Sequence, residues 1–466
     1  MKSVEPILVI FILCITFGCN IKSGDHITPN SNEFSIRQLQ EDFTYLRELL
    51  ESNHPALYLY YPKETFDGFF DEAYASIDRA MTEAQFFKLL APIVAKVNCG
   101  HTFIDFSNAY KNQQRNNARL FPLGVVFLNE KAYIYQNYSR ETDIILGTEI
   151  VSINRVPIAT ILNKLLNGIP ADGNIAAYKY RKIKRQFFQL YFDLIDAPDR
   201  FELQCIAAGE TGEFTLSLEA LPYDEVWGAF QALNPGSSNL SLEIRENSST
   251  AILTVKSFAS GIQPDFKSFM RTSFQDILRR NIKNLVIDLR GNSGGDPEYS
   301  ADLISYLIDY PFTYFSEGNR SAYPSLFVPR TPYDLNFNGN VYFLIAGSCF
   351  SSAGHFCSLA QFHHLGVFIG EETGGSFYCN DNHMNTLLPN THINFQVART
   401  TWATAVSGFE KGRGIMPDHP VAPSLEDLIN GIDREMTYVF QLLFLFNPCT
   451  PPQDILPINP SKSPTF

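Results

Sequence analysis

Two adjacent serines, Ser351 and Ser352, stand where an apolar strand pattern gives way to a helix pattern. The strand is predicted over Val341–Ala346, the turn over Gly347–Ser352 and the helix over Ala353–His364. The free N–H groups and the positive dipole end of a helix start stabilise an alkoxide or an oxyanion, so a serine here could act as a nucleophile. A simple helix cap is the commoner use of serine at such a position, and the spacing alone does not separate the two roles.

A strand followed by a glycine-rich turn occurs twice more in this half of the chain. Asn284–Arg290 predicts a buried strand, Gly291–Gly295 a turn of bare backbone, and Glu298–Asp309 a helix. Gly366–Glu371 predicts a further strand, which ends at the turn Thr373–Gly375. This alternation favours a parallel sheet, and in such sheets functional side chains collect at the carboxyl ends of the strands.

Four motifs in this order resemble those of the S41 serine peptidases, a family that includes the C-terminal processing and tricorn-type peptidases. They are Asp288–Gly295 (DLRGNSGG), Phe350–Gly354 (FSSAG), Gly370–Gly375 (GEETGG) and Gly412–Asp418 (GRGIMPD). The resemblance implies an α/β catalytic core of the ClpP/crotonase type, built from strand–turn–helix units. It also implies hydrolysis of peptide bonds without a metal or other cofactor.

The resemblance divides between two catalytic arrangements. Tail-specific peptidases use a Ser–Lys dyad, with the lysine just after the third motif. In this chain Ser376 follows that motif, and the nearest downstream lysine is Lys411, so the dyad is excluded. The tricorn-type arrangement, in which a distant histidine activates the serine, is therefore the one expected. Alignment with the family motif places the nucleophile at Ser352, with Ser351 as the alternative.

His101 is the histidine that the resemblance selects as general base. It follows a predicted helix, in the segment Asn98–Thr102, and precedes the strand-like residues Phe103–Phe106. A lone histidine is more often structural, but the tricorn-like branch carries its catalytic histidine in a similar motif. Some relatives have a serine just before the histidine that helps to orient the imidazole. Here that residue is Gly100, so the orienting group is open.

The remaining site residues also follow from the resemblance. The backbone N–H groups of Gly294 and Ala353 are the expected oxyanion donors, and Glu410 is the expected carboxylate that orients the histidine. His355 replaces the family's glutamate three residues after the nucleophile. At this helical spacing His355 could lie beside Ser352 as a rival base, although packing or capping is the more ordinary role.

The length of 466 residues predicts two or three domains. Residues 34–110 predict an N-terminal helical cap that carries His101, and residues 240–447 the catalytic domain, with a final helix over 424–445. Residues 118–220 predict a PDZ-like β-module, because Ile145–Asn154 is similar to a PDZ strand. Either this module binds extended peptides or it has lost its groove. Residues 222–239 are expected to be a linker, and residues 448–466 a disordered tail.

The N-terminus predicts export. Lys2 precedes the apolar run Pro6–Phe17, which is too short to span a bilayer and ends in small residues, so residues 1–19 are interpreted as a signal peptide. Gly18-Cys19 resembles the end of a bacterial lipobox, with Cys19 as the lipidated residue and residues 20–33 as a tether. The expected location is the bacterial periplasm or cell surface, with a lipid anchor as the only membrane contact.

The composition argues against two kinds of binding partner, nucleic acid and zinc. The formal net charge of −13 argues against nucleic-acid binding, which needs clustered Lys and Arg. The eight cysteines contain no Cys-x-x-Cys pair, and no His-Glu-x-x-His motif is present, so a zinc site is not expected. Two functions remain: an exported serine endopeptidase acting on peptides or protein C-terminal tails, and a non-catalytic protein of S41 fold that binds an apolar ligand or a protein partner.

Overall fold

The structure is a computed structural model that describes residues 33–236, 238–262 and 264–446. The predicted signal peptide, Cys19, almost all of the tether and the predicted disordered tail lie outside the described residues. Within the described ranges, no helix has both the length and the apolar character needed to cross a bilayer.

The first region is mainly helical, as the sequence predicts. Its elements are α1 (Ile36–Asn53), α2 (Lys63–Ala75), α3 (Glu83–Ala95), β1 (Phe103–Asp105) and α4 (Asn108–Asn117). Capping boxes start α1 at Ser35 with Gln38 and α3 at Thr82 with Gln85. The apolar stripes of the first three helices pack into one core, which fixes the direction in which the chain leaves α3 toward His101.

The second region is an antiparallel sheet with helices packed on it. Its elements are β2 (Arg119–Leu120), β3 (Leu123–Leu128), β4 (Lys131–Asn137), β5 (Glu149–Ile153), β6 (Val156–Pro157), α5 (Ile158–Gly168), α6 (Ala176–Leu194), β7 (Arg200–Ile206), β8 (Glu213–Glu219), β9 (Leu221–Pro222) and α7 (Tyr223–Leu233). The main sheet has the order β3-β4-β5-β7-β8, with β6 paired to β5. The PDZ-like character of this module stays a prediction. The linker expected at 222–239 is wrong over α7, because Val226 and Phe230, one helical turn apart, bury in the core of this region.

The third region contains the predicted strand–turn–helix units. Its elements are β10 (Leu240–Arg245), β11 (Thr250–Val255), α8 (Phe266–Arg279), β12 (Asn284–Asp288), α9 (Pro297–Ser305), β13 (Phe315–Glu317), β14 (Asn340–Ile345), α10 (Ser352–Phe362), β15 (Val367–Gly370), β16 (Tyr378–Asp381), β17 (Met384–Leu387), β18 (Asn394–Val397), β19 (Thr400–Thr404), β20 (His419–Pro420), α11 (Leu425–Asn430) and α12 (Arg434–Phe446). The helix expected over 424–445 is divided in two, because Gly431 adopts a left-handed conformation, with φ 66°, that ends α11.

The central sheet has the order β10-β11-β12-β14-β15-β20, and all of its pairings except β10–β11 are parallel. Helices α8, α9 and α10 share a large apolar core with this sheet, and α12 packs through Val439 and Leu443 against a second cluster of sheet residues. The turns after β12, β14 and β15 all leave from the carboxyl ends of parallel strands. The structure therefore has the predicted parallel sheet, with its turns gathered at one edge.

The helical region is joined to the third region next to His101. Strand β1 pairs with β18, and β17 completes that three-stranded sheet. The Gln396 side chain donates to the His101 carbonyl at 3.0 Å, and the Ala398 N–H donates to Thr102 Oγ1 at 3.1 Å. These bonds place the loop after α3 against the catalytic region, although the two segments are far apart in sequence.

Candidate active site

The turn after β14 holds Ser351 in a strained conformation. Its φ of 56° and ψ of −127° lie in a region that residues with a side chain rarely adopt, at a cost of about 1–3 kcal/mol. Neighbouring backbone bonds enforce the turn: Phe350 N–H donates to Asn292 O at 3.0 Å, and Gly375 N–H donates to Cys349 O at 2.8 Å. The serine thus stands just ahead of helix α10, on a turn clamped by the other two glycine-rich loops.

The side chain of His101 contacts this turn. Its Nε2 lies 3.1 Å from Ser351 Oγ, and the residue is only 9% exposed. The imidazole stacks on the Phe350 ring with centroids 4.7 Å apart, and Phe350 in turn packs on Tyr178 at 4.9 Å. A nearly buried histidine in hydrogen-bond contact with a serine on a strained turn is the geometry of an activated nucleophile.

The serine that faces the histidine is Ser351, not Ser352 as the sequence alignment predicts. Ser352 is the first residue of α10; its hydroxyl is buried and has no partner among the described residues. The positive φ of Ser351 reverses the chain direction before the helix begins and turns the Ser351 side chain toward His101. The correction is a single position, and it makes the alternative weighed from the sequence the geometrically favoured one.

The two N–H groups expected as oxyanion donors already have hydrogen-bond partners in the structure. Gly294 N–H donates to Asn292 Oδ1 at 2.9 Å, and Ala353 N–H donates to Phe350 O at 3.1 Å, so both are already engaged. The next candidates are the N–H groups of Gly295 and Ser352, for which no partner is found within the described ranges. A Cβ on Gly294 would stand 2.7 Å from Phe350 O, so only glycine lets these two turns approach so closely.

Glu410, the carboxylate expected to orient His101, is exposed and makes no hydrogen bond to the ring within the described part of the chain. Two other acids lie nearby. Asp381 Oδ2 is 3.6 Å from His101 Nε2, the nitrogen that faces Ser351. Asp172 is buried, and its Oδ1 accepts the Gly100 N–H at 2.7 Å. The sequence gives no local signal for Asp172, because it comes from the loop before α6.

Asp172 and the imidazole share a further feature. Asp172 Oδ2 and His101 Nδ1 are both buried, and neither has a partner among the described residues. Cys99, His101 and Asp172 each place one ligand-type atom within 4.8 Å of the others. Burial raises the pKa of the Cys99 thiol far above its usual range, which disfavours the thiolate that a metal would need. The arrangement therefore suits a carboxylate–imidazole pair better than a metal site.

His355, the possible rival base, is placed among aromatic rings. Its ring packs edge-on against Phe315 at 5.5 Å, and its Nε2 lies 3.4 Å from Cys379 Sγ. Burial lowers the pKa of His355 to about 3, with a smaller contribution from His101. An imidazole with so low a pKa is a weak proton acceptor at neutral pH, which favours His101 as the base.

The third and fourth motifs bond to each other behind the site. Thr373 N–H donates to Ile415 O at 3.1 Å, and Ile415 N–H donates to Thr373 Oγ1 at 2.7 Å. The first motif is fixed through Arg290, which forms ion pairs with Asp288 at 3.0 Å and with Asp433, the residue before α12, at 2.7 Å. These motif residues hold the turns rather than facing the serine.

The fold and this pair of side chains define a class: an α/β protein with a histidine in hydrogen-bond contact with a serine at a strand-to-helix turn. Residues 249–421 match the sequence profile of Peptidase family S41. That part of the chain is an S41 serine peptidase domain, which confirms the family predicted from the four motifs.

Two solved structures of CPAF share the fold over most of the chain, and a third structure is similar at a lower TM-score. The structure of mature CPAF complexed with lactacystin is 13% identical with a TM-score of 0.64, over 88% of this chain and 98% of that one. The structure of mature CPAF is 13% identical with a TM-score of 0.63, over 88% of this chain and 97% of that one. The photosystem II D1 C-terminal processing protease is 13% identical with a TM-score of 0.42, over 84% of this chain and 96% of that one. Among curated proteins, none matches the sequence significantly.

The contact between Gly100 and Phe350 generates a prediction. A Cβ on Gly100 would stand 2.5 Å from the Phe350 ring, so Gly100→Ala must displace the ring on which His101 stacks. We expect the free energy of unfolding, measured in urea, to fall by about 1–3 kcal/mol. The rate of reaction with a serine-directed probe should fall at least tenfold. The control is Gly68→Ala in α2, where a new Cβ would have no other atom within 4 Å. This variant should be more stable than wild type by about 0.5–1 kcal/mol in the free energy of unfolding. A Gly100→Ala protein of wild-type stability and reactivity would contradict this account of the site.

Proposed function

We propose that the protein is an exported serine endopeptidase that hydrolyses bonds in peptides or protein C-terminal tails, with Ser351 as nucleophile and His101 as general base. The observation that carries the proposal is the 3.1 Å contact between His101 Nε2 and Ser351 Oγ on a strained turn. The S41 domain assignment supports hydrolysis of peptide bonds. The exclusion of the Ser–Lys dyad by sequence supports a histidine as the base.

The geometry supports a two-step acyl transfer. His101 Nε2 accepts the Ser351 proton as the hydroxyl attacks the peptide carbonyl, and the N–H groups of Gly295 and Ser352 stabilise the oxyanion. The imidazolium then gives its proton to the leaving amine, which leaves an acyl group on Ser351. Water, deprotonated by the same imidazole, releases the acid and restores the serine.

The carboxylate that positions His101 is, in this proposal, Asp172. Its Oδ1 is fixed by the Gly100 N–H, next in sequence to the histidine, and its free Oδ2 is available to the free Nδ1. The loop is held on both sides, since Gly173 N–H donates to Asn98 O and Asn174 N–H to Gly412 O, both at 2.9 Å. A carboxylate there would keep Nδ1 protonated and Nε2 free to accept the serine proton.

Labelling with a simple fluorophosphonate distinguishes the two serines. Ser351→Ala should abolish labelling, because it removes the attacking oxygen, whereas Ser352→Ala keeps the backbone N–H and should still label. His101→Ala should slow labelling by about 10³-fold or more. Circular dichroism of each variant serves as the folding control. If Ser352→Ala abolishes labelling and Ser351→Ala does not, the nucleophile is Ser352; if the wild type does not label, the non-catalytic binding protein is the better description.

Asp172→Asn provides a second test, because it keeps the acceptor for Gly100 but removes the charge. We expect kcat/KM to fall by about 10²–10⁴-fold with a changed acid limb of the pH profile. Glu410→Gln is the matched control and should change neither. If Glu410→Gln produces the loss and Asp172→Asn does not, the orienting role returns to Glu410.

The same substitution should increase stability at neutral pH. Burial raises the pKa of Asp172 from 3.8 to about 6, against the opposing effects of His101 and the Gly100 N–H. Between pH 3.8 and about 6, the Asp172 carboxyl group holds its proton more tightly in the folded protein than in the unfolded chain. Stability from this group is therefore present at low pH and lost as the pH rises through about 6. At pH 7.5 Asp172→Asn should unfold at a higher temperature than wild type, with a difference that shrinks toward pH 4.

The exported location is the part of the proposal that rests on sequence alone, on the signal-like residues 1–19 and the lipobox-like Gly18-Cys19. Full-length protein expressed in a bacterium should partition with the membrane fraction and incorporate labelled palmitate. Cys19→Ala should lose the label and, if processed, appear in the soluble periplasmic fraction. Cys14→Ala, inside the predicted signal, is the matched control and should behave as wild type. Wild-type protein in the cytoplasmic fraction would contradict export.

A further inference from the structure

A cavity of about 180 Å³ opens beside Ser351. Gly295 and Ser352, whose N–H groups are the proposed oxyanion donors, both line it. In acyl transfer the side chain next to the attacked carbonyl must lie beside the nucleophile and the oxyanion donors. The cavity is therefore placed to receive the side chain of the residue before the cleaved bond, an argument that rests on the proposed function.

The walls of the cavity are aromatic. Phe315 and Trp402 have ring centroids 5.0 Å apart, and Tyr323 lies 5.7 Å from Trp402. Phe315 and Trp402 are almost entirely buried, so these rings are fixed in place by the core. Flat apolar groups pack well against such walls.

Part of the cavity lining is polar and nearly buried but carries no net charge. Ser352 and His355, three residues apart on α10, are 2% and 4% exposed, and both line the cavity. Ser352 Oγ and His355 Nδ1 have no hydrogen-bond partner among the described residues. Burial lowers the pKa of His355 to about 3, so its ring is neutral at physiological pH.

Charged side chains suit this cavity poorly. The charged group among its lining residues is the Asp381 carboxylate, which would repel an acidic side chain. A lysine or arginine whose charged end lay beside Ser352 and His355 would meet a neutral imidazole and a hydroxyl, and the Asp381 carboxylate in the same lining already has His383 Nδ1 as a neighbour at 2.8 Å. The chemistry that fits is an aromatic ring that ends in a neutral hydrogen-bonding group.

We propose that this cavity selects tyrosine as the residue before the cleaved bond, with its ring packed against Phe315 and Trp402 and its hydroxyl bonded to Ser352 Oγ and His355 Nδ1. A site that hydrogen-bonds a substrate hydroxyl rejects the analogue without it, because its own buried polar atoms are then left without partners. Discrimination between tyrosine and phenylalanine therefore depends on Ser352 and His355, whereas discrimination against small side chains depends on the aromatic walls.

The test uses peptidyl diphenyl phosphonates that differ only in the side chain next to phosphorus: Tyr, Phe, Leu, Lys or Glu. The labelling rate of the mature protein should be highest for Tyr, at least about tenfold above Phe. In Ser352→Ala and in His355→Leu the ratio of Tyr to Phe rates should fall toward one. Ser376→Ala is the matched control and should keep the wild-type ratio. Ser376 Oγ is also buried and has no partner in the described part of the chain, but Ser376 does not line the cavity.

Each outcome has a separate meaning. A wild-type protein that reacts with Phe or Leu as fast as with Tyr, or fastest with Lys or Glu, overturns the tyrosine pocket and leaves the serine peptidase intact. A ratio that stays unchanged in both pocket variants also overturns it. Failure of the wild type to react with any of these probes or with the simple fluorophosphonate overturns the proposed function, and the pocket assignment with it.

Discussion

The hydrogen bond between His101 and Ser351 joins residues 250 positions apart and depends on the correct docking of two regions of the chain. The serine belongs to a turn of the parallel sheet, and the histidine to a loop that leaves the helical region. The β1–β18 pairing and the bonds from Gln396 and Ala398 bring that loop to the sheet. A change that loosens this docking separates the imidazole from the hydroxyl without altering either of them.

Close backbone approach is the second constraint on the site. Gly100 leaves room for the Phe350 ring, and Gly294 lets the first motif reach the serine turn. The strained conformation of Ser351 persists because these neighbours hold it from several sides. The absence of a serine before the histidine then has a steric cause, since a side chain at Gly100 would occupy the space of the ring on which the imidazole stacks.

Much of the fold could be predicted from local patterns. The capping boxes at Ser35 and Thr82, the apolar runs of the parallel strands and their glycine-rich turns carry their signals in a few adjacent residues. Which of the two serines faces His101 could not be predicted, because no local pattern reveals the positive φ of Ser351. Asp172 could not be found at all, since only the tertiary path of its loop brings it to Gly100.

Locating a covalent adduct on the unmodified protein shows whether Ser351 is the activated nucleophile. The mature wild-type protein would be treated with a fluorophosphonate and digested, and fragment ions that separate Ser351 from Ser352 would be measured by tandem mass spectrometry. An activated Ser351 should carry a single adduct that is absent when His101 is replaced. An adduct on Ser352, or one that forms equally well without the imidazole, would contradict it.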